Sequence, residues 1–201
     1  MTTNTINILR KIVAFGAVVI LIFVIYLGVY LPYQKASLYI KAYRAATAVR
    51  SFPEFQKVFD EVLNFYSPVG QAEVVKFLSN EILNMVQSKD MPKEIAMLLA
   101  GYVEREFWKL RNGRPYPGSN QQLVILGDLR HFIGVEYNDI DSLKMAERYY
   151  IQILDLSPRR PQALFGLYNL YDSVGDKKAA AEILKEIFYY WPQFIGMNQP
   201  K

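Results

Sequence analysis

The 201-residue chain has no cysteine and a single histidine, His131. Without thiols there are no disulfides, no thiolate nucleophile and no Cys-ligated zinc. One imidazole excludes a His-rich metal site and leaves His131 alone for any triad-type mechanism. Asp128 is near it in sequence, but no hydroxyl or thiol nucleophile stands out, so a hydrogen-bonding role is expected for this histidine. No acid precedes Glu54. The formal charge of +4 nevertheless overstates the basic character. Of 23 lysines and arginines, Arg10 and Lys11 precede an apolar run, which leaves 21 against 19 acids. Basic residues otherwise form only short clusters such as Arg159-Arg160, so the basic face of a nucleic-acid binder is missing. Glycine-rich phosphate loops are missing too. The reading therefore carries no catalytic residue, no cofactor and no metal, and no nucleic acid as partner. The chain is not expected to be an enzyme.

What the chain does have is one long apolar segment. From Ile12 to Leu31, twenty consecutive residues carry no charge: IVAFGAVVILIFVIYLGVYL. At a helical rise this spans about 30 Å, the thickness of a bilayer's hydrocarbon core. Arg10-Lys11 suit one interface, and Tyr26, Tyr30 and Tyr33 suit the other. A cleaved signal peptide would have a shorter apolar region and a small-x-small cleavage pattern. The expectation is a tail at 1–11 and an uncleaved single-pass transmembrane helix at 12–33, in contact with the lipid bilayer. Lys35, Lys41, Arg44 and Arg50 on one flank nearly balance the other, so charge leaves both orientations open.

The remainder reads as all-α. Pro32-Tyr33 predicts the bilayer exit, and Gln34 to Arg50 predicts a helix with apolar residues at spacings of 3 and 4. Ser51 with Pro53, Ser67-Pro68, and Asp90 with Pro92 are further helix starts. These make a helical region over 34–111. NGRPYPGSN at 112–120 is a loop by its prolines and glycines.

Asp128 to Pro192 then contains two helix-pair units in register. Pro158 and Pro192 lie 34 residues apart, and the same shift places Gly134 on Tyr168, Tyr137 on Tyr171, Ala146 on Ala180, Tyr150 on Leu184 and Ile153 on Ile187. A fixed period near 34 that aligns small and bulky apolar positions resembles the tetratricopeptide family. Gly175-Asp176 stands at the turn within the second unit. The resemblance implies two such repeats over 121–192, with 34–111 as degenerate repeats, forming an α-solenoid, and a tail at 193–201. A membrane helix followed by YLPYQKASLYIKAYRAA and repeats containing LDLSPRRPQ also resembles, less specifically, the C-terminal part of bacterial O-antigen ligase or polymerase-like membrane proteins. That kinship implies the bacterial inner (cytoplasmic) membrane and an accessory or truncated relative of a surface-glycan system, without the many spans that glycosyl transfer requires.

Tetratricopeptide arrays bind extended peptides or helices on the concave face made by the first helix of each pair. By repeat position this groove would present His131, Val135 and Asn138 from one unit, and Phe165, Asn169 and Asp172 from the next. The expected function is a membrane-anchored scaffold for a protein or peptide partner. The last helix, Ala179 to Trp191, is rich in Ile, Leu, Phe and Tyr. Phe194 and Ile195 are expected either to fold back as its cap or to leave an apolar end for another protein.

Overall fold

The computed structural model of the protein describes residues 3–46, 51–88, 91–111 and 118–194. Arg50, Asp90, most of the predicted 112–120 loop and Ile195 lie outside them. Helices dominate, and no strand occurs among the described residues. Two compact units divide the chain, Met1–Val74 and Val75–Lys201.

One long helix leads the first unit. α1 (Thr3–Ile25) runs through a π-helical segment (Tyr26–Tyr30) straight into α2 (Leu31–Ala46). The sequence places the bilayer exit at Pro32-Tyr33, and the helix continues through Pro32. A helical proline lacks an N–H and its ring crowds the carbonyl four residues back. Here the Leu31 N–H bonds to the Tyr26 carbonyl, five residues back, so the turn is widened where the ring intrudes. From Thr3 to Ala46 the helix extends about 66 Å, well beyond its apolar stretch. That stretch is long and apolar enough to cross a membrane, and all of it before Leu31 lies outside the core.

α3 (Phe52–Asn64) starts at Ser51 with a proline in its first turn, where the missing N–H costs nothing. It packs on α2 through Phe59, which is fully buried, with its ring centroid 6.3 Å from Tyr39 and 4.7 Å from Phe55. Its C-terminal carbonyls are met by a buried lysine. Lys35 is only 2% exposed. Its Nζ donates to the Phe65 carbonyl at 2.8 Å and to Gln71 Oε1, while Gln71 Nε2 donates to the Leu63 carbonyl at 3.0 Å. A cation placed there satisfies orphan carbonyls and complements the negative end of the α3 dipole. Lys35 is thus committed inside the fold and is not a free flanking charge.

The second unit starts within α4 (Gln71–Ser88), whose Val75, Leu78, Ile82 and Val86 are buried. It continues through α5 (Lys93–Arg111), α6 (Ser119–Glu136), α7 (Ile140–Leu156), α8 (Pro161–Ser173) and α9 (Lys177–Tyr190) to a short 3-10 turn at Pro192–Phe194. α7 packs on both α6 and α8, α6 also packs on α8, and α8 packs on α9. Matching caps set the turns within the last two pairs. Asp139 accepts from the Ser142 N–H at 2.9 Å, and Asp176 from the Ala179 N–H at 3.0 Å, each replacing a missing helical acceptor. Before them stand Asn138 (φ 51) and Gly175 (φ 79), and the Asp139 and Asp176 N–H groups close back on Gly134 and Tyr171, both at 2.9 Å. These are left-handed C-terminal caps. The ends of α7 and α9 recur at the 34-residue spacing, with Ser157 and Trp191 bonding back to Ile153 and Ile187, both at 2.8 Å. The turns recur three residues later than that, from Asp139 to Asp176. α9 therefore has 14 residues against 17 in α7, and Tyr137 caps α6 whereas Tyr171 lies inside α8.

Three helices meet at Tyr150. Its side chain is fully buried. A Cβ added at Gly127 of α6 would come 2.7 Å from the Tyr150 ring, and one at Gly166 of α8 would come 2.4 Å from it. Two bare glycine backbones thus flank one ring. Gly134 admits Leu143 of α7 in the same way, at 2.6 Å. The Tyr150 hydroxyl donates to Asp128 Oδ1 at 2.6 Å, so the buried polar tip is satisfied. Gly127→Ala and Gly166→Ala should each destabilise the unit by about 1–3 kcal/mol through overpacking. Gly101 in α5 meets nothing within 4 Å, so Gly101→Ala should stabilise by up to about 1 kcal/mol through helix propensity. Denaturant unfolding of the full chain in detergent, followed by near-UV circular dichroism, checks both signs.

Candidate functional site

The interior of α5–α7 is organised by a polar cluster. Arg130 of α6 clamps Glu104 of α5 bidentately, Nε to Oε1 at 2.6 Å and Nη2 to Oε2 at 2.5 Å, with both residues buried. Its Nη1 donates to Ser142 Oγ of α7 at 3.3 Å, and the Tyr149 hydroxyl of α7 donates to Glu104 Oε1 at 2.9 Å. Burial and the adjacent Glu104 carboxylate push the Tyr149 phenol up, so it stays a neutral donor. The cluster ties the three helices together and fixes where the Tyr149 ring lies.

That ring helps line a cleft of about 470 Å³ between α5 and α7. Trp108 of α5 stands 6.4 Å from Tyr149, centroid to centroid, and is itself backed by the Arg111 guanidinium at 5.2 Å. Met145 and Ile151 extend the apolar lining; Arg148, Gln152 and Asp155 supply polar groups. Trp108 is 40% exposed and Ile151 44% exposed. The cleft thus presents an exposed indole beside a phenol, with ionic groups of both signs around them.

The six residues expected to line a groove fall differently. His131 is half-buried, and its Nε2 lies 3.0 Å from Ser173 Oγ. Ser173 donates its own proton to the Leu170 carbonyl at 2.7 Å, so the imidazole must be the donor, as the Nε2–H tautomer. Burial lowers its pKa and keeps it neutral. His131 thus joins α6 to the end of α8. Val135 is exposed near the end of α6, and Asn138 occupies the left-handed turn position beyond it. On α8, Phe165 is half-buried and Asn169 exposed. Asp172, also exposed, pairs with Lys177 at 2.7 Å. The contact of His131 with Ser173 places it about two helical turns along α8 from Phe165.

No family model, curated protein or solved structure matches the chain. Among the described residues, no group of three or more His, Cys, Asp or Glu is placed to hold a metal ion. The Trp108 cleft was missed because repeat logic directs attention to first helices, whereas this cleft is built from α5 and α7. The available signal was a tryptophan close to the polar, basic end of α5, an unusual place for so large an apolar group.

The turn beside the expected site is sensitive to acid. Lys93 at 2.8 Å and the Ser142 N–H hold the Asp139 carboxyl down at about 2. A carboxylate with a depressed pKa stabilises the fold above its unfolded pKa, and that contribution is lost as pH falls from about 4 to about 2. The thermal midpoint should drop across this window. Asp139→Asn should remove that part of the drop, and Asp139→Ala should cost about 1 kcal/mol at neutral pH as a lost cap. Circular-dichroism melts at stepped pH check it.

Proposed function

We propose that the chain is a single-pass, membrane-anchored scaffold whose helical-hairpin stack, of tetratricopeptide type, docks another protein. Its α1–α2 helix carries an unburied apolar stretch of bilayer length, followed by interfacial tyrosines. Such an anchor confines the stack near the membrane and raises its effective concentration for partners there. Support for the repeat reading comes from α6 and α8 lying side by side while α7 packs against both. The observation that carries the binding role is the open α5/α7 cleft lined by Trp108 and Tyr149. Large rigid aromatics that a partner fully desolvates supply most of the binding energy at protein interfaces.

Crosslinking and pull-down from native membranes test the proposal. Trp108→Ala/Ile151→Ser should lower recovery of a specific partner at least ~tenfold, a loss of about 1.4 kcal/mol or more. Phe165→Ala/Asn169→Ala should leave recovery close to wild type. The reverse pattern would move the working surface to α6 and α8. No partner that depends on either surface would sink the scaffold reading.

A further inference from the structure

A second pocket, of about 650 Å³, opens at the turn from α7 to α8 and is lined by Ser157, Pro158, Arg159, Arg160 and Tyr190. We propose that it binds a phosphate-bearing ligand. The lining holds two guanidinium groups and no acidic side chain. Neither arginine forms an ion pair with a described residue. The Arg160 Nε is shielded from water and has no hydrogen-bond partner. The Nε is closed to a ligand as it is to water, so the outer nitrogens of the guanidinium are the groups available to one. Arg159 lies over the Tyr190 ring, 5.0 Å from its centroid, which braces the cation without using its donors.

The turn itself is rigid. Pro158 and Pro161 restrict the backbone on either side of the two arginines, and the Arg160 N–H closes on the Ser157 carbonyl at 3.0 Å. The Ser157 hydroxyl accepts from Asn120 Nδ2 at 3.1 Å, which leaves its own proton to donate into the pocket. The first turn of α8 contains no acid, so the positive end of that helix dipole is not offset locally. Two guanidinium forks and a hydroxyl offer more donors than the two oxygens of a carboxylate can use. A phosphate group, with three peripheral oxygens and up to two charges, uses them better. Pro158 and Tyr190 give the organic part of a phosphate ester an apolar surface to rest on. Such a group can arrive as a soluble phosphate ester or as a phospholipid headgroup.

The test uses the full chain in phosphatidylcholine nanodiscs, with thermal unfolding read against inorganic phosphate concentration. Phosphate should raise the midpoint saturably, as a ligand of the folded state does. Arg160→Gln should weaken the apparent Kd at least ~tenfold, the loss of one charge-assisted contact. Arg159→Gln/Arg160→Gln should abolish the shift. Arg160→Lys, which keeps the charge but not the fork, should fall between wild type and Arg160→Gln, and it carries the test if the double variant does not fold. In nanodiscs containing phosphatidic acid, a midpoint already raised in wild type alone, with no further response to phosphate, assigns the site to a headgroup. An unchanged midpoint that still responds to phosphate assigns it to a soluble ligand. The proposal is overturned if neither probe moves the midpoint, if acetate or chloride at matched ionic strength acts as phosphate does, or if the double variant responds like wild type.

Discussion

The Tyr150 ring lies between the backbones of Gly127 and Gly166, and the stacking of α6, α7 and α8 depends on it. A fully buried phenol fills space that any larger residue at either glycine would occupy, so the two helices approach α7 at a distance only glycine permits. Interiors packed to this density tolerate neither a void nor an extra methyl group well. The hydroxyl could have been the weak point of the arrangement. Its bond to Asp128 turns it into a register mark, since the ring must enter deeply enough to reach that carboxylate. Tyr171 repeats the device one helix on, its hydroxyl donating to Glu147 Oε1 at 2.6 Å and tying α8 back to α7.

Polar groups inside the protein do a second job. The buried Arg130–Glu104 pair repays the cost of removing two charges from water only because its geometry is bidentate and its remaining donors and acceptors are met by Ser142 and Tyr149. Such a pair specifies more than it stabilises. It admits one alignment of α5 on α6, and it orients Tyr149 so that the phenol ring lines an open cleft. Lys35 works similarly in the first unit, where the end of α3 is closed by an ammonium that only one register of α2 can deliver. Cleft and interior are therefore linked. The opening beside Trp108 is shaped by a charge pair buried behind it.

Much of the chain was legible from its residues because the relevant forces are local. Ser51 with Pro53 marks a helix start, and Gly175-Asp176 marks the turn before α9, where Gly175 takes a left-handed conformation that other residues resist. The 34-residue spacing captured the second helices well, since Ala146, Ala180, Ile153 and Ile187 are all buried. The turn at Gly175-Asp176 stands where the sequence placed it, but the two turns are 37 residues apart, from Asp139 to Asp176, and a 34-residue period does not carry one onto the other because α9 is nearly one turn shorter than α7. How the chain passes Pro32 was not legible. Proline disrupts a helix whose hydrogen-bond register is fixed, and here the register itself changes through the π segment.

Composition and local pattern by themselves determined that the chain is helical, that one stretch is long and apolar enough for a bilayer, and where most helices begin. Those properties follow from side-chain chemistry and nearest neighbours. Which glycines matter was decided only by the tertiary structure. Gly127, Gly134 and Gly166 press on buried side chains, while Gly16, Gly28 and Gly101 meet nothing, and no local signal separates the two groups. The same holds for the charged residues. Lys35, Glu104 and Arg130 look like surface residues in sequence but are buried, because their partners come from other helices, 26 to 36 positions away. Contacts at that separation are set by packing, so the grooves they shape belong to the fold and not to any one segment.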